Sequence, residues 1–261
     1  MNPSAKHSLY KILSDNQSGS TELLLKLIRW CKDKDKKFLG EMISVASNEL
    51  QTFSAVQSFI KDLKKLLKAS DKYQIEKFLI EQSERIGNRY LTLFKNAFPY
   101  LKDSRKIVTL SNSRTIIEIL KRLNKQKKIF ITICESRPQL EGRIMVKELL
   151  KHKIRTEIIP DVLLSAAIEK SDCAIIGADT VLSNGDVVNK TGSRSLAIAC
   201  RHFKKPFYVL ATSDKFSNKK KYIPEERNKN EIWSYNHKLL KRTNYYFEVI
   251  EKKLITKIIR D

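Results

Sequence analysis

Asp179 closes the apolar run CAIIGA, so its carboxylate is expected at the mouth of a buried strand. A carboxylate partly withdrawn from water has a raised pKa and can serve as general acid or base. The bland role for the same residue is to cap the turn that follows. Downstream, Asn189 and Lys190 stand side by side in VVNKTG, and Arg137 stands in CESRPQLEGR. Arg137 or Lys190 would suit a phosphate, and Asn or Asp would suit hydroxyl groups. Ser111, Asn112 and Ser113 in TLSNS, Glu135 and Ser136, then Glu141, Gly142 and Arg143, Asp161, and the run Thr212 to Lys215 complete the set. Such residues could hold a phosphorylated, hydroxyl-bearing ligand. They match ordinary loop ends equally well, since loops are polar wherever they face water.

Each of these groups follows a short apolar run. The runs are 106–111, 128–134, 155–160, 173–179 and 206–212, with helical patterns between them. Strands alternating with helices predict a parallel, doubly wound sheet with helices on both faces. Ligands in such sheets bind beyond the carboxyl ends of the strands. No GxGxxG follows any strand, which removes the dinucleotide fingerprint. Within GADTVLSNGDVVNKTG, residues 177–192, Asn184-Gly185 predicts a hairpin with a type I′ turn. Ser193 is placed as N-cap of a helix over 194–204, whose first amides could bind an anion. The closing stretch, YYFEVIEKKLITKIIRD, could add a further strand.

Residues 20–100 have a different period. In TELLLKLIRWCKD, Leu23, Leu24, Leu27, Ile28 and Cys31 fall on one helical stripe. FLGEMISVASNEL, AVQSFIKDLKKLL and a long run from Asp71 to Asn96 continue the pattern, with Thr21 and Asp71 placed as N-caps. The expected architecture is a helical domain over 1–100, ended near Pro99, and a Rossmann-like α/β domain over 101–261.

Composition narrows the classes. Apolar residues make up 41% of the 261, enough for a core. No apolar run reaches the roughly 18–20 residues of a membrane span, and the N-terminus does not read as a signal peptide. The four cysteines form no CxxC pair, so neither a zinc site nor a disulfide framework is expected, and a reducing cytoplasm fits. The net charge of +22 is spread over helices that also carry Glu and Asp. Without a base-stacking aromatic pattern it reads as a Lys-rich solvated surface, and nucleic acid is not an expected partner.

CESRPQLEGR (134–143), GADTVLSNGDVVNKTGSRSLA (177–197) and FYVLATSDKF (207–216) together resemble one family. It is that of the regulatory alpha, beta and delta subunits of translation initiation factor 2B, which also includes methylthioribose-1-phosphate isomerase and ribose-1,5-bisphosphate isomerase. The resemblance implies the same two-domain fold, dimerisation through the C-terminal domain, room for protein partners, and no cofactor. Its isomerases interconvert a phosphorylated aldose and ketose by proton transfer. They use a Cys after the first strand of the α/β domain and the Asp of the GAD block. That Asp matches Asp179, and the NK pair matches Asn189 and Lys190. The Cys position is filled by Ser111, whose hydroxyl is a far weaker acid than a thiol. Cys134 is not a replacement, since a Cys before this block is common in the family without a catalytic role. The Arg-Gly motif that helps hold phosphate in the isomerases is not visible between residues 20 and 100.

Asp179 and Ser111 are therefore the candidate catalytic positions. Arg137, Glu135, Gly142, Asn112, Asn189 and Lys190 are the candidate ligand contacts, and no metal is expected. The resulting reading is an initiation factor 2B-like homodimer with a regulatory role that binds a sugar phosphate or nucleotide without turning it over. The alternative is an aldose–ketose isomerase on a phosphorylated pentose. A weaker alternative is an RNA- or ribosome-associated basic protein.

Overall fold

The computed structural model describes residues 3–15, 20–50 and 54–261. The chain divides into two compact units, Met1–Arg89 and Tyr90–Asp261. The first is helical: α1 (Pro3–Leu13), α2 (Ser20–Cys31), α3 (Lys36–Glu49), α4 (Ser54–Ala69) and the start of α5 (Lys72–Leu101). Its core holds the stripe read from the sequence, Leu23, Leu27, Ile28 and Cys31, together with Leu39, Met42 and Ala46 of α3 and Val56 and Leu63 of α4, and α4 packs against both α2 and α3. Each such aliphatic side chain taken from water contributes about 1.5–3 kcal/mol. Asp71 forms a capping box: its Oδ1 accepts from the Gln74 N–H, and Gln74 Oε1 accepts from the Asp71 N–H. Thr21 lies within α2 and is not its N-cap.

The unit boundary falls inside α5, which runs past Pro99 to Leu101. The helix thus ends close to the expected Pro99, which lies inside its last turn. Proline forfeits one helix N–H, but Ala97 and Leu101 are fully buried in the core of the second unit and hold the last turn.

The second unit continues with β1 (Lys106–Leu110), α6 (Arg114–Gln126), β2 (Phe130–Cys134), α7 (Glu141–Lys151), β3 (Arg155–Ile159), α8 (Leu164–Glu169), β4 (Cys173–Ile176), β5 (Thr180–Val181), β6 (Val187–Lys190), α9 (Ser193–His202), β7 (Phe207–Ala211), β8 (Phe247–Ile250) and β9 (Lys257–Arg260). Six strands form one parallel sheet in the order β3-β2-β1-β4-β7-β9. Alternate strand residues face opposite ways. Ile107, Ile131, Ile133 and Ile175 join α5, α6 and α7 in one core. Val108, Ala174, Ile176 and Val209 join α8 and α9 in the other. Burial on both faces explains why these strands read as continuous apolar runs. The closing stretch supplies two strands. β9 edges the large sheet, and β8 pairs antiparallel with β6 in a small sheet ordered β5-β6-β8.

The hairpin between β5 and β6 forms, but its turn is not type I′. Only Gly185 has positive φ (86°), whereas type I′ needs two such residues. The Gly185 N–H donates to Leu182 O and the Leu182 N–H to Asp186 O. This gives a three-residue loop with glycine at its left-handed end. Asn184 instead uses its side chain, bonding the backbone and carboxylate of Asp186.

No helix among the described residues is long and apolar enough to cross a membrane.

Candidate functional site

Strand order in the large sheet reverses between β1 and β4, and the crevice beyond their carboxyl ends is where such sheets bind ligands. Ser111 follows β1 directly and is left-handed (φ 61°). Its N–H donates to the buried Ser136 Oγ at 2.6 Å, which ties the end of β1 to the end of β2. Ser136 is also left-handed (φ 64°). Two non-glycine residues in this conformation cost about 1–3 kcal/mol each. The Asp161 carboxylate holds the second bend by accepting from the Ser136 and Arg137 amides at 2.9 and 2.8 Å. Ser113 caps α6. A Cβ on Gly177 would meet Ser113 Oγ at 2.5 Å, so glycine is what lets the end of β4 close on the β1–α6 loop.

Asp179 follows that glycine and is half-buried. Its own N–H donates to Val188 O on β6, which fixes its place. Burial pushes its carboxyl pKa up, against the pull of the Lys215 and Lys190 charges. On β6, Asn189 and Lys190 are both buried. Asn189 Nδ2 donates to Ser193 Oγ, which in turn donates to Lys190 O. Lys190 Nζ is 2.6 Å from Glu141 Oε1, with side chains 4% and 12% exposed, and lies 4.7 Å from the Tyr246 ring centroid. The other oxygen of Glu141, Oε2, is buried without a hydrogen-bond partner among the described residues. Tyr246 Oη contacts Gln139 Nε2 and both oxygens of Glu231. Burial, then the Glu231 carboxylate, pushes that phenol up to about 12.

The remaining candidates are placed differently. Glu135 Oε2 pairs with Arg143 at 3.0 Å. The Arg137 side chain is exposed and has no hydrogen-bond or ion-pair partner among the described residues. Asn112 is half-buried beside Ser111. Gly142 donates its N–H to Glu135 O, and a Cβ there would lie 2.0 Å from Cys134 O. That distance makes glycine a requirement of α7 packing on β2.

Ser193 is not the cap of α9. It is the first helical residue, and Gly192 (φ 102°) precedes it. The anion at this helix start is internal: Glu248 Oε1 accepts from the Gly192 and Arg194 amides at 2.7 and 2.9 Å. Sequence reading missed Glu141, Glu248, Tyr246 and Glu231 as neighbours of the NK pair. The register of β6 on β8, which sets Asn189 opposite Glu248 and Lys190 opposite Phe247, is what brings two of them there.

A separate cleft of about 570 Å³ lies between α8 and α9, lined by Leu110, Leu164, Thr191, Ile198 and His202, and includes neither Asp179 nor Lys190. No group of His, Cys, Asp and Glu that could hold a metal occurs among the described residues.

A ribose 1,5-bisphosphate isomerase from Archaeoglobus fulgidus is 28% identical over 224 residues, covering 82% of this chain and 71% of that protein. A putative translation initiation factor eIF-2B subunit 2-like protein from Pyrococcus furiosus is 44% identical over 116 residues, 43% of this chain and 41% of that protein. The crystal structure of the Pyrococcus horikoshii translation initiation factor eIF-2B matches with a TM-score of 0.74, covering 99% of this chain and 95% of that one; at 24% identity the likeness is one of fold. The model of the initiation factor 2 subunit family matches residues 3–261, and the chain belongs to that family.

Proposed function

We propose that the chain is a regulatory, initiation factor 2B-like protein that binds a phosphorylated sugar or nucleotide beyond β1 and β4 without turning it over. The observation that carries this is the missing acid. Isomerisation of an aldose needs a proton donor and a proton acceptor, and Ser111 stands where the family's thiol would be. No other thiol supplies it. All four cysteines are buried and free, and burial pushes Cys134 up to about 12. Asp179, Asn189, Lys190 and the exposed Arg137 support retention of an anionic, hydroxyl-bearing ligand. Isomerase assays on ribose 1,5-bisphosphate and methylthioribose-1-phosphate test the reading, and turnover abolished by Asp179→Asn would sink it. A thermal-shift screen of sugar phosphates and nucleoside monophosphates tests binding, since a ligand of the folded state alone must raise Tm.

The isomerase reading has one observation in its favour: the raised pKa of Asp179 suits a general base. A homodimer through the α/β unit is the proposed assembly. Val162 (88% exposed), Leu163 and Ile198 present apolar surface around the α8–α9 cleft, and a second copy is the occupant proposed for it. The buried, unpaired cysteines support a reducing, cytoplasmic setting.

A further inference from the structure

Residues 219–243, between β7 and β8, are exposed or half-buried throughout. Within them the sequence WSYNH sets three rings at alternate positions. Alternate residues of an extended chain share a face, and here the rings stack. Trp233 and Tyr235 have centroids 4.9 Å apart at 29°, and Tyr235 and His237 are 6.4 Å apart at 5°. The sequence reading, which found no base-stacking pattern, did not single these rings out.

The ladder is held in place from behind. Arg242 Nη1 donates to Trp233 O at 2.7 Å and to Asn230 Oδ1 at 2.8 Å. The buried Asn244 donates to Asn228 O and Glu231 Oε2. The Leu239 N–H donates to His237 Nδ1, which fixes that ring's acceptor nitrogen. Trp233 and Tyr235 are nevertheless 56% and 52% exposed. Lys238 follows His237 in the chain and Lys241 precedes Arg242, and both are exposed and without an ion pair among the described residues. Arg227 and Lys229 are paired with Glu225 and Glu226.

Single exposed apolar side chains are ordinary, but a stacked and pinned set is not. Protein interfaces favour Trp and Tyr at their core but are depleted in lysine. Exposed aromatic rings with unpaired lysines beside them in the chain fit a polyanion that carries π-faces of its own. We propose that this surface binds single-stranded nucleic acid, with a base stacked on the outer face of Trp233, which Tyr235 backs, and phosphates on the lysines. Its support shares Glu231 with the neighbourhood of Lys190, through Tyr246.

The test uses the full chain with Trp30→Phe, which leaves Trp233 as the sole tryptophan of the chain's two. Binding of the 12-mers rU12 and dT12 is followed by Trp233 fluorescence and by anisotropy of labelled strands, over a salt series. The expected result is quenching of Trp233, affinity that falls with salt, and roughly tenfold weaker binding for each of Trp233→Ala and Tyr235→Ala at unchanged Tm. Lys238→Glu with Lys241→Glu should flatten the salt dependence. Preference for rU12 assigns RNA, and equal binding assigns stacking and charge alone; both support the proposal. Absence of binding at 50 mM salt (about a 14 Å screening length) overturns it. So does equal binding of a duplex or of polyglutamate, or unchanged affinity in the ring variants. If those variants instead turn a dimer into a monomer without weakening nucleic-acid binding, the surface is a protein interface and the proposal fails.

Discussion

Lys190 and Glu141 form the most consequential contact of the site, because both are buried and 2.6 Å apart. Removing one partner strands the other. Lys190→Met should cost about 3–5 kcal/mol in urea unfolding, and the double change with Glu141→Leu should recover most of it. Asp179 makes a prediction of opposite sign. Its folded pKa is raised, so the folded state holds its proton more tightly than the unfolded state. Stability from this group is present at low pH and declines as pH rises from the unfolded value through the raised one. Asp179→Asn, which never ionises, should therefore raise Tm at pH 7 and leave it little changed near pH 4. A Tm gain equal at both pH values would show that ionisation is not the cause. Of these residues, the sequence singled out Asp179 by its place after an apolar run and Lys190 by the NK pair of the family resemblance. It could not reveal Glu141 as the lysine's partner, because 49 residues separate them and only the fold joins α7 to β6.

Glycine and carboxylate positions decide how the elements meet. Gly142→Ala would drive a Cβ to 2.0 Å from the Cys134 carbonyl, so α7 must shift off β2. The expected loss is about 1–3 kcal/mol, as in other overpacked interiors, read from chemical denaturation. Glu248→Ala leaves the first amides of α9 without their acceptor and should cost about 0.5–2 kcal/mol. The central strands of the large sheet were legible because parallel strands buried on both faces read as unbroken apolar runs. The small sheet was less so. β5 is two residues long, and β8 lies far from β6 in the chain, so neither leaves a period to read. The turn at Asn184-Gly185 was recognised but its type was not, since one glycine serves a type I′ turn and a bulged three-residue loop alike. At α9, Ser193 has the residue type of a cap, but Glu248 from another strand reaches the amides first.

Across the whole molecule, 51 basic residues face 29 acidic ones. Such an excess draws anions from a distance, and anisotropy with any polyanion should weaken steeply between 50 and 200 mM salt. The proposed dimer is a separate matter of apolar surface: if it forms through the α8–α9 face, Val162→Lys with Ile198→Lys should shift the sedimenting species to monomer while leaving the far-ultraviolet spectrum intact. General attraction does not load the inner site, because Lys190 already holds a counterion from its own chain. For the ligand proposed above to reach Lys190 it would have to exchange with Glu141, and its affinity would be the difference between the two partners. A phosphate dianion, with a second charge and further acceptor oxygens, would gain more by that exchange than a monoanion, and the ion pair would then act as a valence filter.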